Sequence, residues 1–365
     1  MPSSNKILCA ISGGVDSSVA ALILKQKGFE VIGVFMNFWS ENQEDPNKCC
    51  SIESVRFARN IAKKLKIKLY SINCRNIFKN RVVKNYIESH EKGITPNPCV
   101  VCNREVKFRR LLRIAINLGA TKVATGHYAK LIKNEKTFEL HRGRDKMKDQ
   151  SYFLWGLPTS SLPLLEFPIG NMNKKEVRKL ARKYKLITYN KKDSQGLCFI
   201  GESKYQFLSK YTKKLLEPGN VVDISGEVIG QHHGLSFYTI GQRIGFIINK
   251  DKWRQNKKDV PPLYVIRLIP EKNILVVGEN KDVFQKKLVV RQLNWLDDSF
   301  DHFPGERKVL AQIRYRHKAK PCTISYINQK NISVVFRKPE RAITPGQSCV
   351  FYQKDRLLGG GFIME

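Results

Sequence analysis

The chain has 365 residues, 42% of them hydrophobic, and carries 65 Lys and Arg against 32 Asp and Glu, a formal net charge of +33 at pH 7. Such a chain is long enough for two or three domains with real cores, which excludes a disordered protein, and no apolar run reaches the roughly 18–20 residues of a membrane-crossing helix. Drift towards lysine explains only part of the charge excess; the rest calls for a polyanionic partner, of which nucleic acid is the commonest.

The N-terminal MPSSNKILCAISGG lacks the layout of a signal peptide, so a cytoplasmic location and no membrane partner are expected. Residues 6–11 (KILCAI) are a short apolar run, read as a buried strand. A glycine–serine turn follows, then Val19, Leu22, Ile23 and Leu24 at helical spacing, with Gly28 as the stop. Residues 30–38 predict a second strand. Residues 52–66 predict an amphipathic helix with Val55, Ala58, Ile61, Ala62 and Leu65 on one face, and 68–72 a third strand. Helical patterns return at about 78–92 and 105–117, and KVAT (122–125) is a further strand. This alternation predicts a parallel sheet covered on both faces. From 219 onwards the texture becomes all-β and barrel-like, with runs such as LYVIRLI, ILVVG, TISYI and ISVVF between Gly, Pro, Asn and Asp. The basic stretch 249–259 (NKDKWRQNKKD) reads as an exposed loop.

The turn after the first strand is Ser12-Gly13-Gly14-Val15-Asp16-Ser17-Ser18. Two glycines allow a tight turn with inward amides, a helix start adds partial positive charge, and the serines add hydroxyls, which together suit a phosphate or pyrophosphate. Asp16 is placed either to hold Mg²⁺ or to cap the helix. The loop has neither the G-x-x-x-x-G-K nor the G-x-G-x-x-G pattern.

Nine cysteines, an odd number, make no disulfide framework in a chain of this size. Cys99 and Cys102 lie in T-P-N-P-C-V-V-C-N (95–103), where Pro96 and Pro98 favour an extended chain. A basic helix with Arg104, Lys107, Arg109 and Arg110 follows and would favour the Cys102 thiolate. A structural zinc site would need a second pair of ligands, and neither another CxxC nor an HxxxH is present. Cys198 lies in D-S-Q-G-L-C-F-I-G (193–201), where Gly196 permits a turn that exposes the sulfur; taken alone, LCFI reads as core.

These blocks occur in order with ATGHYA (124–129), KDQSYFLWGL (148–157), YTIGQRxG (238–245), RYR (314–316) and TPGQS (344–348). Together, over nearly the whole chain, they resemble the bacterial tRNA 2-thiouridylases of the ATP-pyrophosphatase superfamily. The resemblance implies an α/β fold: a parallel-sheet ATP-pyrophosphatase (HUP-like) domain at 1–203, a small, mostly β central domain at 204–282 and a C-terminal β-barrel at 283–365. It implies ATP binding by Ala10, Ile11, Ser12, Gly13, Gly14, Val15, Asp16 and Ser17, with Met36 and Gly126 at the adenine and ribose. Asn97, Pro98 and Cys99 would meet the target base. Cys102 would be the nucleophile and Cys198 the persulfide carrier. His127, Lys148, Asp149, Gln150, Arg314, Tyr315 and Gln347 would contact tRNA, although Arg314 and Tyr315 taken alone read as barrel-surface residues.

The implied reaction activates a uridine 2-oxygen with ATP and replaces it with sulfur delivered by a relay protein fed by a cysteine desulfurase. The implied substrates are the tRNAs for Lys, Glu and Gln. Many relatives have Asp where this chain has Cys99, which puts an acid/base role there in doubt and creates a third thiol; Cys99, Cys102 and Cys198 could then hold a [4Fe–4S] cluster. Two other classes remain open from the residues: an amidotransferase or ligase that uses the same AMP activation, and a non-catalytic RNA-binding protein.

Overall fold

A computed structural model describes residues 5–41, 51–135, 137–193, 196–201, 203–212, 214–243, 245–248 and 262–364. The basic stretch 249–259, together with Cys49 and Cys50, lies outside the described residues. The N-terminal unit is built on a parallel sheet in the order β3-β2-β1-β4-β7. Its strands are β1 (Lys6–Ala10), β2 (Glu30–Asn37), β3 (Lys68–Asn73), β4 (Lys122–Ala124) and β7 (Leu165–Glu166). Ile7, Leu8 and Cys9 are fully buried, which is why KILCA reads as unbroken apolar sequence: β1 is a central strand covered on both faces.

Helix α1 (Val15–Gln26) follows the glycine turn and α2 (Ile52–Leu65) starts from Ser51, whose hydroxyl accepts from the Ser54 amide. The chain is then helical from α3 (Arg75–Phe78) through a π-helical stretch (Lys79–Val83) into α4 (Lys84–His90). A second such run joins α5 (Pro98–Val101), a π-helical stretch (Cys102–Phe108) and α6 (Arg109–Asn117). This helix starts earlier than the expected 105. Pro98 sits in its first turn, where a missing N–H costs nothing, so the extended segment ends at Asn97.

Several elements lie outside the sequence patterns above, among them a helix and a β-hairpin that bear on the site. Helix α7 (Lys174–Lys183) begins with a capping box, Asn173 accepting from the Glu176 amide and Glu176 from the Asn173 amide. A hairpin of β5 (Ala129–Lys133) and β6 (Phe138–Arg142) leaves the parallel sheet and joins the C-terminal sheet beside β18 (Arg356–Ile363).

Helix α8 (Lys204–Tyr211) leads into a five-stranded sheet of order β10-β9-β8-β12-β11: β8 (Gly219–Val222), β9 (Val228–His232), β10 (Phe246–Ile248), β11 (Tyr264–Ile269) and β12 (Ile274–Gly278). The last unit is an antiparallel barrel of order β13-β16-β15-β14-β17-β18, closed by pairing of β13 with β18. Its other strands are β13 (Phe284–Trp295), β14 (Glu306–Gln312), β15 (Lys320–Asn328), β16 (Asn331–Arg341) and β17 (Ser348–Gln353). Closure leaves no unpaired edge among these six strands. Trp295, Phe336 and Phe351 are among the residues that fill the barrel. Among the described residues, no helix is long and apolar enough to cross a membrane.

Candidate functional site

The phosphate loop joins β1 to α1. Gly13 has φ +73°, and a Cβ there would stand 2.3 Å from the Ser54 carbonyl oxygen, so the turn requires glycine and lies against the first turn of α2. Gly14 is the N-cap of α1 and no side chain caps this helix, so Asp16 is not the cap. The Ser17 hydroxyl receives the Ser12 amide at 3.1 Å and donates to the Gly14 carbonyl, which fixes the loop from within. Ser12 is exposed, whereas Ile11, Gly13, Val15 and Ser17 are buried and Ala10 is half-buried. Met36 is buried at the C-terminal end of β2. Gly126 abuts the start of α1: a Cβ there would lie 2.7 Å from the Ser17 amide nitrogen. This glycine-lined turn with an uncapped helix start suits a nucleotide's phosphates.

Asp16 sits in an ion cluster. Lys174 Nζ lies 2.7 and 2.8 Å from its two carboxylate oxygens, and the Tyr128 hydroxyl donates to Oδ1 at 2.7 Å. A Mg²⁺ held by Asp16 would compete with this ammonium for the carboxylate. Lys174 also pairs with Asp193 at 2.8 Å, and Asp193 is held further by Lys148 at 2.7 Å and Arg178 at 2.9 Å. Burial works against the Asp193 carboxylate, but hydrogen bonds from Lys148 and Lys174 outweigh it and bring its pKa below the ordinary value.

Three segments far apart in sequence meet at Asn97. The turn before β17 lies on 94–96: the Thr95 amide donates to the Pro345 carbonyl, and Gln347 Nε2 donates to the carbonyls of Thr95 and Pro96, both at 3.1 Å. Gly346 has φ +86°, and a Cβ there would stand 2.3 Å from Ile94. The Tyr152 hydroxyl donates to the Ser348 carbonyl at 2.9 Å and is also hydrogen-bonded to the Asn97 side chain. Tyr315 packs at a tilt against Phe153, with ring centroids 4.5 Å apart, and against Tyr152 at 6.2 Å. Arg314 donates to the Arg341 carbonyl, and its half-burial, then the nearby Arg341, lower its pKa. These two residues sit at the seam between barrel and N-terminal unit rather than on an outer barrel face.

Other expected tRNA contacts are turned inward. Asp149 is buried; it accepts from Arg142 at 2.8 Å and from the amides of Gly143 and Ser151. Gln150 Oε1 accepts from the Tyr128 amide. His127 is buried between Phe108 and Phe167 and hydrogen-bonded to Thr125 at 2.6 Å; burial, then Lys107, hold its pKa well below 6.5. Asn97 and Pro98 are buried, and Cys99 is half-buried at the helix start.

Cys102 opens the π-helical stretch rather than a helix N-terminus, so the helix start lies nearer Cys99. The basic residues after it are engaged elsewhere: Arg104 and Arg109 with Glu105, Lys107 with the Asn103 side chain, and Arg110 with Cys74. Cys102 and Cys198 are both half-buried thiols packed against the same core cluster. Among the described residues, no three His, Cys, Asp or Glu side chains gather as they would around a metal ion. The expected [4Fe–4S] ligand set of Cys99, Cys102 and Cys198 is therefore not supported: the three thiols do not gather around a common point.

Lys174, Arg178 and Tyr128 escaped the sequence reading. The first two sit on α7, whose Asn173-x-x-Glu176 signature followed by Val177, Leu180 and Ala181 was the signal available for it.

The tRNA methyl transferase HUP domain family matches residues 5–202, its PRC-barrel domain companion 205–279, and an aminomethyltransferase β-barrel domain family 285–363. A tRNA-specific 2-thiouridylase of Carboxydothermus hydrogenoformans is 43% identical, covering 98% of this chain and 97% of the relative. One from Clostridioides difficile is 40% identical over 99% and 98%, and one from Lachnoclostridium phytofermentans 39% identical over 99% of each chain. With the HUP match spanning over half its length and these relatives nearly all of it, the chain belongs to the tRNA-specific 2-thiouridylase family.

Proposed function

We propose that this protein is a cytoplasmic, ATP-dependent tRNA-uridine 2-sulfurtransferase that converts a wobble uridine to 2-thiouridine. The observation that carries this reading is the convergence of 95–103, 148–153 and 344–348 around Asn97, in a chain whose relatives bear that name. RNA is read in sequence most readily where bases leave the stack, as in an anticodon loop, and a site walled by three segments suits a base turned out of its stack.

The phosphate loop (residues 10–17), with Met36 and Gly126, binds ATP, and the uridine 2-oxygen attacks the α-phosphorus to release pyrophosphate. The oxygen then departs with AMP, a far better leaving group. Asn97, Pro98 and Cys99 hold the base, and His127, Lys148, Asp149, Gln150, Arg314, Tyr315 and Gln347 form and support the surface that receives the tRNA. Lys148 donates to phosphates. The inward-turned Asp149, Gln150, His127 and Gln347 keep their segments in place.

Cys198 carries the persulfide, loaded by a relay protein that a cysteine desulfurase supplies. The Cys102 thiolate attacks the Cys198 sulfur, forming a Cys102–Cys198 disulfide and expelling hydrosulfide, which attacks C2 as AMP leaves. Alternatively the terminal persulfide sulfur attacks C2 as AMP leaves, and the Cys102 thiolate then cleaves the S–S bond to Cys198, releasing 2-thiouridine and forming the same Cys102–Cys198 disulfide. A disulfide so formed is reduced by external thiols before the next turnover. The acceptors are the tRNAs for Lys, Glu and Gln, and the working units are 1–203, 204–282 and 283–365.

The test is nucleoside analysis of tRNA incubated with the enzyme, ATP, Mg²⁺ and a persulfide donor. 2-Thiouridine should form with the wild type and disappear with Cys102→Ser and with Cys198→Ser. Absence of 2-thiouridine from the wild type, with tRNA-dependent AMP formation that survives Cys198→Ser, would point instead to an AMP-forming ligase or amidotransferase that needs no second thiol.

A further inference from the structure

The ion cluster beside the phosphate loop links two parts of the proposed reaction that are far apart in sequence. An ammonium has three N–H donors. Those of Lys174 face three carboxylate oxygens: both oxygens of Asp16, within the loop, and Oδ1 of Asp193, five residues before Cys198. The Lys174 side chain is only 12% exposed, so water competes weakly for these donors. Lys174 stands at the start of the capped helix α7, and its backbone amide is held by Asp145 at 2.9 Å. The bridge therefore springs from a fixed point.

We propose that Lys174 is a positioning residue for sulfur transfer: through Asp193 it makes the placement of the Cys198 segment depend on what occupies the phosphate loop. The inference rests on the reading of that loop as the nucleotide site. Triphosphate oxygens arriving there crowd the Asp16 carboxylate with like charge and compete for the Lys174 donors. Asp193 then loses one of its three cationic partners and keeps Lys148 and Arg178. Arg178 is anchored by the Tyr189 and Lys191 carbonyls at 2.8 and 2.9 Å, so it stays with Asp193. Lys148, in the segment proposed to receive tRNA, is the cation that an RNA phosphate would draw away next. Nucleotide and tRNA thus act on one carboxylate through two different lysines.

The experiment follows the alkylation rate of Cys198 by iodoacetamide, read by mass spectrometry of its peptide, with and without the β,γ-imido analogue of ATP. Analogue binding is measured separately by equilibrium dialysis. In the wild-type enzyme the analogue should change the Cys198 rate by at least about fivefold, the lower end of ordinary coupling between sites. Asp193→Asn, which leaves the loop itself intact, should bind the analogue and lose the response. Lys174→Met should lose it too, and Lys174→Arg should retain part of it. A wild-type enzyme that binds the analogue with no change at Cys198, or an Asp193→Asn enzyme that keeps the full response, would overturn the inference while leaving the nucleotide site standing. A wild-type enzyme that does not bind the analogue removes the nucleotide reading and this inference with it.

Discussion

At the scale of single residues, the turn at Gly13 and the buried histidines give the sharpest expectations. A side chain at Gly13 meets both an unfavourable φ and the Ser54 carbonyl at 2.3 Å, and neither strain can be relieved without moving α2. Gly13→Ala should weaken ATP binding by about tenfold or more, the equivalent of a left-handed backbone penalty of 1–2 kcal/mol, as read by equilibrium dialysis. Unchanged affinity would mean that nucleotide binds elsewhere. His90 and His127 are neutral in the fold: burial, followed by Lys204 for His90 and Lys107 for His127, holds both well below 6.5. The unfolded chain therefore binds more protons than the native one below that value. Their contribution to stability is complete above about pH 6.5 and is lost as the pH falls towards their native values. The urea midpoint should be lower at about pH 5.5 than at 7.5, and the drop should shrink in His90→Gln. An identical drop in that variant would assign the acid sensitivity to other groups. Asp193 contributes in the same direction only at much lower pH, because its native pKa lies below 3.8.

At the scale of elements, α7 shows how a local signal supports a distant site. Its capping box satisfies two backbone donors and fixes the start of the helix from which Lys174 and Arg178 reach the Asp16–Asp193 cluster. Asn173→Ala should destabilise the N-terminal unit by about 1 kcal/mol, seen as a lower urea midpoint by far-ultraviolet circular dichroism. It should also raise the KM for ATP if Lys174 neutralises Asp16 during binding. The two π-helical stretches are a different case. Propensity predicted ordinary helix at 78–92 and 105–117, and the type is right. The i→i+5 hydrogen bonding of Lys79–Val83 and Cys102–Phe108 was not legible, because a 3.6-residue apolar period does not distinguish it from ordinary helix.

At the scale of the whole molecule, the barrel is part of the candidate site rather than an appendage. Trp155 packs on Phe362, Asn294 donates to the Trp155 and Leu157 carbonyls, and the turn at 344–348 lies on the Asn97 segment. The net charge of +33 bears on the same scale. If several phosphates are bound along this surface, tRNA affinity should fall by about a thousandfold between 50 and 200 mM salt, the response expected for six or more phosphate contacts. A filter-binding titration showing a flat response would argue that the charge is compositional.

The sequence alone determined the alternating strands and helices, the all-β remainder, the glycine turn and the ordered motifs, because each is a short-range pattern of polarity and backbone preference. Only the tertiary structure decided the rest. It placed the β5–β6 hairpin on the barrel, paired Asp16 with Lys174, engaged the cations after Cys102 elsewhere, and gathered 95–103, 148–153 and 344–348 at Asn97. Each of these depends on which groups meet across more than a hundred residues or compete for one partner at close range. Packing and ion pairing settle such contests in three dimensions, and periodicity along the chain carries no record of them.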